Sequence, residues 1–138
     1  MNWLVYVLVS LVFYSLMPPL LKTVMKEIPS NIALVVTNSI LCSLTFVVAK
    51  AQGYSFSEHL SLDHNSLILY TAGVVLAVSM ISYYKAIEMG PISSVVPIYG
   101  MYVALTSILS FLVLGEKLTL TKGVGLIFAL IAIILLSR

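Results

Sequence analysis

Long apolar segments without charge recur along the sequence, and short polar connections separate them. A helix needs about 20 mostly apolar residues to cross the hydrocarbon core of a bilayer. Four segments are close to that length. The last has about 15 residues, with no charge between residues 125 and 136, and we interpret it as a thin or tilted span. The pattern predicts five membrane-spanning helices, at residues 3–21, 32–49, 67–86, 92–114 and 123–137.

The connections between these segments leave no room for a second domain, since the longest covers only residues 50–66. Short connections make successive spans antiparallel neighbours. We therefore expect an all-α integral membrane bundle of five transmembrane helices that forms a single domain over residues 1–138. Pro29-Ser30-Asn31 is predicted to end the first connection and cap the second helix. Gly90-Pro91 predicts a turn before the fourth.

Composition supports a membrane protein and excludes several other classes. Hydrophobic residues make up 61% of the chain and charged residues 9%, with a mean hydropathy of +1.13. Soluble domains have roughly 25% charged residues. The lipid bilayer is therefore the expected partner, and a net charge of +2 is too weak to indicate nucleic acid. Cys42 is the single cysteine and cannot form a disulfide within the chain.

The Lys and Arg residues near the span ends give little indication of how the chain is oriented in the membrane. Five spans place the termini on opposite sides of the membrane, and Lys and Arg favour the cytoplasmic side. Three such residues lie on the N-terminal side, namely Lys50, Lys117 and Lys122. Four lie on the other side, namely Lys22, Lys26, Lys85 and Arg138. Two interpretations remain open: a weakly biased single orientation, or dual topology, in which copies insert both ways and pair antiparallel.

The most distinctive stretch begins at the end of the third predicted span. Residues 84–97 read Tyr-Lys-Ala-Ile-Glu-Met-Gly-Pro-Ile-Ser-Ser-Val-Val-Pro, and residues 114–119 read Leu-Gly-Glu-Lys-Leu-Thr before a final helix containing Gly123 and Gly125. The chain resembles the EamA domain of the drug/metabolite transporter superfamily, whose pattern has such a turn, helix proline, Gly-Glu-x-Leu-Thr loop and glycine-containing last helix. In this pattern we expect structural roles for Pro97, Gly115 and Glu116.

Most members of that superfamily have two repeats of inverted topology in one chain, whereas this chain resembles one repeat, as in the five-span bacterial and archaeal members. Transport pathways in inverted-repeat folds lie between the two halves. The resemblance implies a transporter of small metabolites or amphiphilic compounds. It would work by alternating access as an antiparallel homodimer in the cell (plasma) membrane, here a prokaryotic inner membrane. The alternative is a non-transporting or heteromeric membrane subunit, for example half of a lipid-carrier flippase pair, in a heterodimer with a related protein.

Polar side chains at helical spacing are the candidates for lining a substrate cavity. Four on the fourth span fall within about 80° of arc at 100° per residue, and the first three spans contribute one each. Alternative roles are open for all of them: hydroxyls bond their own helix, Asn bonds between helices, and Tyr lies at the interface. The candidates are Tyr14, Asn38, Tyr83, Tyr99, Tyr102, Thr106 and Ser110.

Lys85 and Glu88 are the charged candidates, because their i,i+3 spacing allows them to pair on one helix face. Buried, they would bind an ionic substrate; we favour the interpretation that they lie at the membrane interface. Pro18-Pro19 and Pro97 lack backbone donors and are expected to interrupt or kink their helices. Broken helices in transporters can expose carbonyls to substrate.

The sequence contains no grouping of residues that indicates catalysis or a cofactor. No Asp or Glu lies mid-span, and the first span lacks the Glu that the small multidrug-resistance relatives use, which disfavours proton-coupled cation efflux by that mechanism. A glycine-rich phosphate loop with Lys is absent from the sequence. His59 and His64 lie in a polar loop that we interpret as solvated. We therefore predict a protein that is not an enzyme and has no metal or cofactor.

Overall fold

The computed structural model describes residues 3–55, 63–115 and 119–136, and within them it contains helices and no strand. Two of these helices, Ile92–Gly100 and Tyr102–Leu114, are parts of one apolar span, Ile92–Val113. Four spans are long and apolar enough to cross a membrane, and the apolar part of the last helix, Gly123–Leu135, is shorter. The predicted all-α class and the five apolar helices are confirmed. The elements are α1 (Trp3–Val24), α2 (Ser30–Ala51), α3 (His64–Met89), α4 (Ile92–Gly100), α5 (Tyr102–Leu114) and α6 (Leu120–Leu136).

The helices extend beyond the apolar segments because polar residues complete their ends. The Asp63 carboxylate accepts a hydrogen bond of 3.1 Å from the backbone N–H of Ser66, so α3 begins before the apolar residues do. α2 ends in a Schellman motif, in which Tyr54 N–H bonds Ala49 O at 3.1 Å. Gly53 has a φ of 81° there, a conformation that other residues rarely adopt.

The prolines affect the two helices that contain them differently. α1 runs from Trp3 to Val24 through Pro18 and Pro19, so of the two expected effects, an interruption or a kink, the interruption does not occur. The φ of proline is compatible with a helix, and helical bonding continues beyond the pair, where Met25 N–H donates to Leu21 O at 2.8 Å. The fourth span is interrupted, at Met101, four residues after Pro97.

The chain divides into two compact units, Met1–Pro19 with Met89–Arg138, and Leu20–Glu88. In the first, α6 packs against α4 and α5. Gly100 faces α6 there, since a β-carbon on it would lie 4.0 Å from Ile133 Cδ1, an ordinary van der Waals distance. In the second, most buried side chains belong to the end of α1, the residue after it, and the facing ends of α2 and α3: Leu21, Met25, Ser30, Ala33, Tyr83, Tyr84 and Ile87.

Many hydroxyls on these helices bond their own backbone. Ser43 donates to Ser39 O and Thr71 to Leu67 O, each at 2.8 Å. Ser82, Thr45 and Ser107 make the same kind of bond. Such bonds satisfy a hydroxyl in lipid without a second helix. A serine or threonine on these helices is therefore not by itself a sign of a polar pathway.

Candidate functional site

Four polar side chains meet at the C-terminal end of α3, and we call Lys22, Ser30, Lys85 and Glu88 the α3-end cluster. The Glu88 Oε2 atom accepts hydrogen bonds from Ser30 Oγ at 2.7 Å and from Lys85 Nζ at 2.6 Å. Lys22 Nζ donates to the backbone oxygens of Ile87 at 2.7 Å and Glu88 at 3.1 Å. The cluster thus ties the end of α1 and the start of α2 to the end of α3.

The predicted i,i+3 pairing of Lys85 and Glu88 is present in the structure. The Lys85 side chain is 58% exposed and that of Glu88 23% exposed, so neither is deeply buried within the chain. Lys22 is suited to its position because the last carbonyls of a helix lack backbone donors and carry partial negative charge.

The role of Ser30 in the structure differs from the one predicted from the sequence. It was expected to help cap α2, but Pro29 occupies the N-cap position, and no side chain caps the helix there. Ser30 is instead the first residue of α2, is 2% exposed, and gives its hydroxyl to Glu88, 58 residues further along the chain. A tertiary contact has therefore replaced a local cap.

A second contact joins α2 and α3 deeper in the span. Thr37 Oγ1 and Tyr84 Oη lie 2.9 Å apart, and Tyr84 is 3% exposed. Tyr83, a cavity candidate, is 4% exposed, and its ring packs edge-on against Tyr84 with centroids 6.4 Å apart. Tyr83 thus lies in a packed part of the chain.

A cleft of about 350 Å³ opens between α2 and α3 beyond this contact. Asn38 is its amide-bearing residue, and Asn38 Nδ2 donates to Leu34 O of its own helix at 2.9 Å. Hydrophobic and small residues make up the rest of the lining: Leu34, Val35, Gly73, Leu76, Ala77, Met80 and Ile81. The cleft is thus mainly apolar with one amide at its wall.

The fourth span brings two candidate tyrosines together at its break. The rings of Tyr99 and Tyr102 have centroids 5.3 Å apart and an interplanar angle of 49°. Tyr102 is 52% exposed and lies near the middle of Ile92–Val113. Thr106, one turn further, is exposed, and Ser110 is partly buried. Hydroxyl-bearing side chains thus follow α5 from mid-span towards its end.

The remaining predicted residues are placed as follows. Tyr14 is 42% exposed near the middle of α1. Pro97 lies inside α4. Gly115 follows α5 with a φ of 65°, and its N–H bonds Ser110 O. Glu116 lies outside the described residues. The substrate and structural roles of all these residues stay predictions.

Sequence reasoning missed Lys22, Ser30, Thr37 and Tyr84 as site or contact residues. The sequence gives only a weak indication of them, because each is simply a polar or amphipathic residue at or near an apolar segment. Its partner is known only from the fold. Among the described residues, no three His, Cys, Asp or Glu side chains are grouped closely enough to hold a metal ion.

Several apolar helices, with four spans long enough to cross a bilayer, indicate a multi-pass membrane protein. The chain belongs to the EamA-like transporter family, which matches it over residues 1–138. It is 27% identical over 137 residues to an uncharacterized transporter in the cobO 3'region of Sinorhizobium sp, a match that covers 99% of this chain and 96% of that protein. No solved structure matches it.

Proposed function

We propose that the protein transports small metabolites or amphiphilic compounds across the cell membrane by alternating access, as an antiparallel homodimer. Membership of a transporter family supports transport. The relative in Sinorhizobium sp, named a transporter, is matched over 96% of its length by these few helices, which supports transport by one repeat. One repeat supplies one half of an inverted pair, so the second half comes from a second copy inserted the other way.

The observation that carries the proposal is the exposure of polar side chains near mid-span. Tyr14, Asn38 and Tyr102 lie near the middle of three different spans and are exposed on the single chain. Polar groups facing hydrocarbon at this depth are costly, and membrane proteins place them in the bundle interior or against a water-filled cavity. A second copy provides a surface that covers such groups and leaves a polar path between the copies.

Accessibility of single cysteines tests the topology. In a Cys42→Ser background, one cysteine is placed by K26C, between α1 and α2, and another by Q52C, directly after α2. The intervening helix of 22 residues is long enough to put these positions on opposite faces of the membrane. Dual topology predicts that a membrane-impermeant maleimide labels part of each population from outside the cell. Labelling of K26C or of Q52C alone would contradict the antiparallel homodimer and favour the heteromeric subunit.

Crosslinking between co-expressed copies tests the pairing. Antiparallel copies place residue 26 of one on the same face as residue 52 of the other, so K26C with Q52C should crosslink through a reagent shorter than the bilayer. K26C copies alone form the matched control: antiparallel pairing puts their two thiols about 30 Å apart across the hydrocarbon core. A crosslink confined to K26C with K26C would indicate parallel pairing and refute the proposal.

Reconstitution tests transport itself. Purified homodimers in liposomes are expected to move at least one member of a panel of neutral, cationic and anionic amphiphiles faster than protein-free liposomes do. A crosslinked antiparallel dimer that moves none of them would favour the non-transporting subunit.

A further inference from the structure

The cleft between α2 and α3 lies within the Leu20–Glu88 unit, and two hydrogen bonds fix the relative depth of its walls. Ser30 Oγ donates to Glu88 at 2.7 Å, and the hydroxyl oxygens of Thr37 and Tyr84 are 2.9 Å apart. Both bonds join the first part of α2 to the last part of α3. The two helices are therefore antiparallel, and the Ser30 end of α2 is level with the Glu88 end of α3.

The lining of this cleft has an amide on one side of the bilayer middle and a glycine on the other. α2 has 22 residues, so its middle is about 16 Å from Ser30 at a rise of about 1.5 Å per residue. On the same scale Asn38 is about 12 Å from the Ser30 level, and Gly73 of α3 is about 22 Å from it. Ala77, at about 16 Å, lies at the middle. The cleft is therefore centred near the middle of the hydrocarbon core.

Inversion of a second copy brings the depths of the amide and the glycine together. The copies of an antiparallel dimer are related by a two-fold axis in the membrane plane, which moves each residue to the same distance on the other side of the middle. Asn38 of one copy and Gly73 of the other then differ in depth by only about 2 Å. Ala77 is level with its own counterpart at the axis. A parallel pair would instead place Asn38 level with Asn38 and far in depth from Gly73.

The chemistry of these two positions is complementary as well. A primary amide has two N–H donors and an oxygen that accepts, and among the residues that the structure describes Asn38 makes one side-chain bond, from Nδ2 to Leu34 O at 2.9 Å. A β-carbon on Gly73 would meet no described atom within 4 Å outside its own turns of α3, so the backbone there is open to a second helix. A helical carbonyl has a second lone pair, and Asn bonds across membrane helices where small residues allow close approach.

We propose that the α2–α3 cleft is the pairing surface of the antiparallel homodimer, in which Asn38 of each copy enters the open space at Gly73 of the other and bonds the α3 backbone. This assignment rests on the proposed function and names the surface through which its two copies meet. The two-fold axis makes the contact twice, so both exposed amides leave the lipid together. Ala77 is small enough to let the two α3 helices approach each other at the axis.

Disulfide formation between differently tagged, co-expressed full-length copies tests this geometry. A disulfide needs α-carbons within about 7 Å of each other. In the Cys42→Ser background, oxidation is expected to join N38C copies to G73C copies, and A77C copies to one another. N38C copies alone are the matched control, because antiparallel pairing separates their α-carbons by at least about 8 Å in depth.

A77L and A72L are a matched pair that tests which face of α3 makes the contact without any thiol chemistry. Both alanines are exposed, and they point about 140° apart around α3 at about 100° per residue. The dissociation constant of the dimer is measured by energy transfer between labelled full-length copies in liposomes over a range of protein-to-lipid ratios. A77L is expected to raise it at least about tenfold by overfilling the contact at the axis. A72L is expected to change it by less than about threefold.

N38L tests the amide itself, because leucine keeps the approximate size of the side chain and removes its hydrogen bonds. The dissociation constant should rise about tenfold, as the loss of two symmetry-related hydrogen bonds between membrane helices allows. Circular dichroism of N38L, A77L and A72L should show the helical content of the wild type, so that a change in pairing is not a failure to fold.

The results that contradict the pairing surface differ from those that contradict the proposed function. A crosslink of K26C with Q52C, without a disulfide between N38C and G73C, would mean that antiparallel copies meet elsewhere, and would overturn the surface alone. Equal dissociation constants for A77L and A72L would do the same and leave the cleft to a lipid chain or a small solute. Disulfides of N38C with N38C in place of those with G73C would mean parallel pairing and overturn the proposed function as well.

Discussion

The hydrogen bond between Thr37 and Tyr84 is expected to stabilise the pairing of α2 and α3, and a double-mutant cycle measures by how much. Tyr84 is 3% exposed, and the two hydroxyl oxygens are 2.9 Å apart. Thr37 Oγ1 also lies 2.9 Å from Ala33 O, to which it donates, so it accepts the proton of Tyr84. T37V and Y84F each remove one partner and keep most of the side-chain volume.

The expected change in the free energy of unfolding follows from how deeply this contact is buried. Hydrogen bonds between membrane helices average about 0.6 kcal/mol in double-mutant cycles, with a maximum of about 1.7 kcal/mol. A short bond at a nearly buried tyrosine belongs in the upper half of that range. We expect each single variant to lower the free energy of unfolding by about 1 kcal/mol, and a coupling energy of about 1 kcal/mol between them.

The assay is reversible unfolding in mixed micelles with increasing dodecyl sulfate, followed by far-ultraviolet circular dichroism. T45V is the matched control, because Thr45 is exposed and bonds Leu41 O of its own helix at 2.8 Å. T45V should change the free energy of unfolding by less than about 0.5 kcal/mol. A coupling energy below about 0.3 kcal/mol between T37V and Y84F would refute the reasoning, since additive effects mean no interaction.

Three further predictions concern the ends of the helices. K22M removes two hydrogen bonds to the last carbonyls of α3 and should lower the free energy of unfolding by about 1 kcal/mol, whereas K26M, an exposed lysine in the next turn, should leave it nearly unchanged in the same unfolding assay. G115A places a side chain at a φ of 65° and should cost about 1–2 kcal/mol; an unchanged unfolding curve would contradict a required left-handed residue there. E88Q removes the carboxylate that holds Lys85, so Lys85 should react faster with an amine-directed reagent under limiting conditions, and an unchanged rate would mean that the ion pair seldom forms.

The apolar pattern was sufficient to predict the number and approximate position of the helices. Lipid requires each spanning backbone to satisfy its own hydrogen bonds, so a long apolar run has few structural alternatives to a helix. The ends were less predictable, because they depend on single polar groups such as Asp63 and on the glycine conformation at Gly53. Hydropathy does not report either feature.

The contacts between helices were largely beyond prediction from sequence. Ser30 has the residue type and neighbours of a helix cap, and nothing nearby in the chain identifies Glu88 as its partner. Lys22 likewise reaches carbonyls of residues more than 60 positions away. The i,i+3 pair of Lys85 and Glu88 was predictable because one helix sets its geometry. Pro97 indicated an irregular fourth span, but not that the break would fall at Met101, four residues later.

Stability and transport place different demands on the polar residues of this chain. One group is internally satisfied: many serines and threonines bond their own helices, and Ser30, Thr37, Tyr84 and Glu88 bond across helices at one end of the Leu20–Glu88 unit. Changes there should mainly alter the free energy of unfolding. The other group, which includes Asn38 and Tyr102, is exposed near mid-span on the single chain, where polar side chains are costly in lipid. Changes in that group should mainly alter pairing of copies or solute binding, so that T37V and Y102F ought to separate the two effects in one set of purified variants.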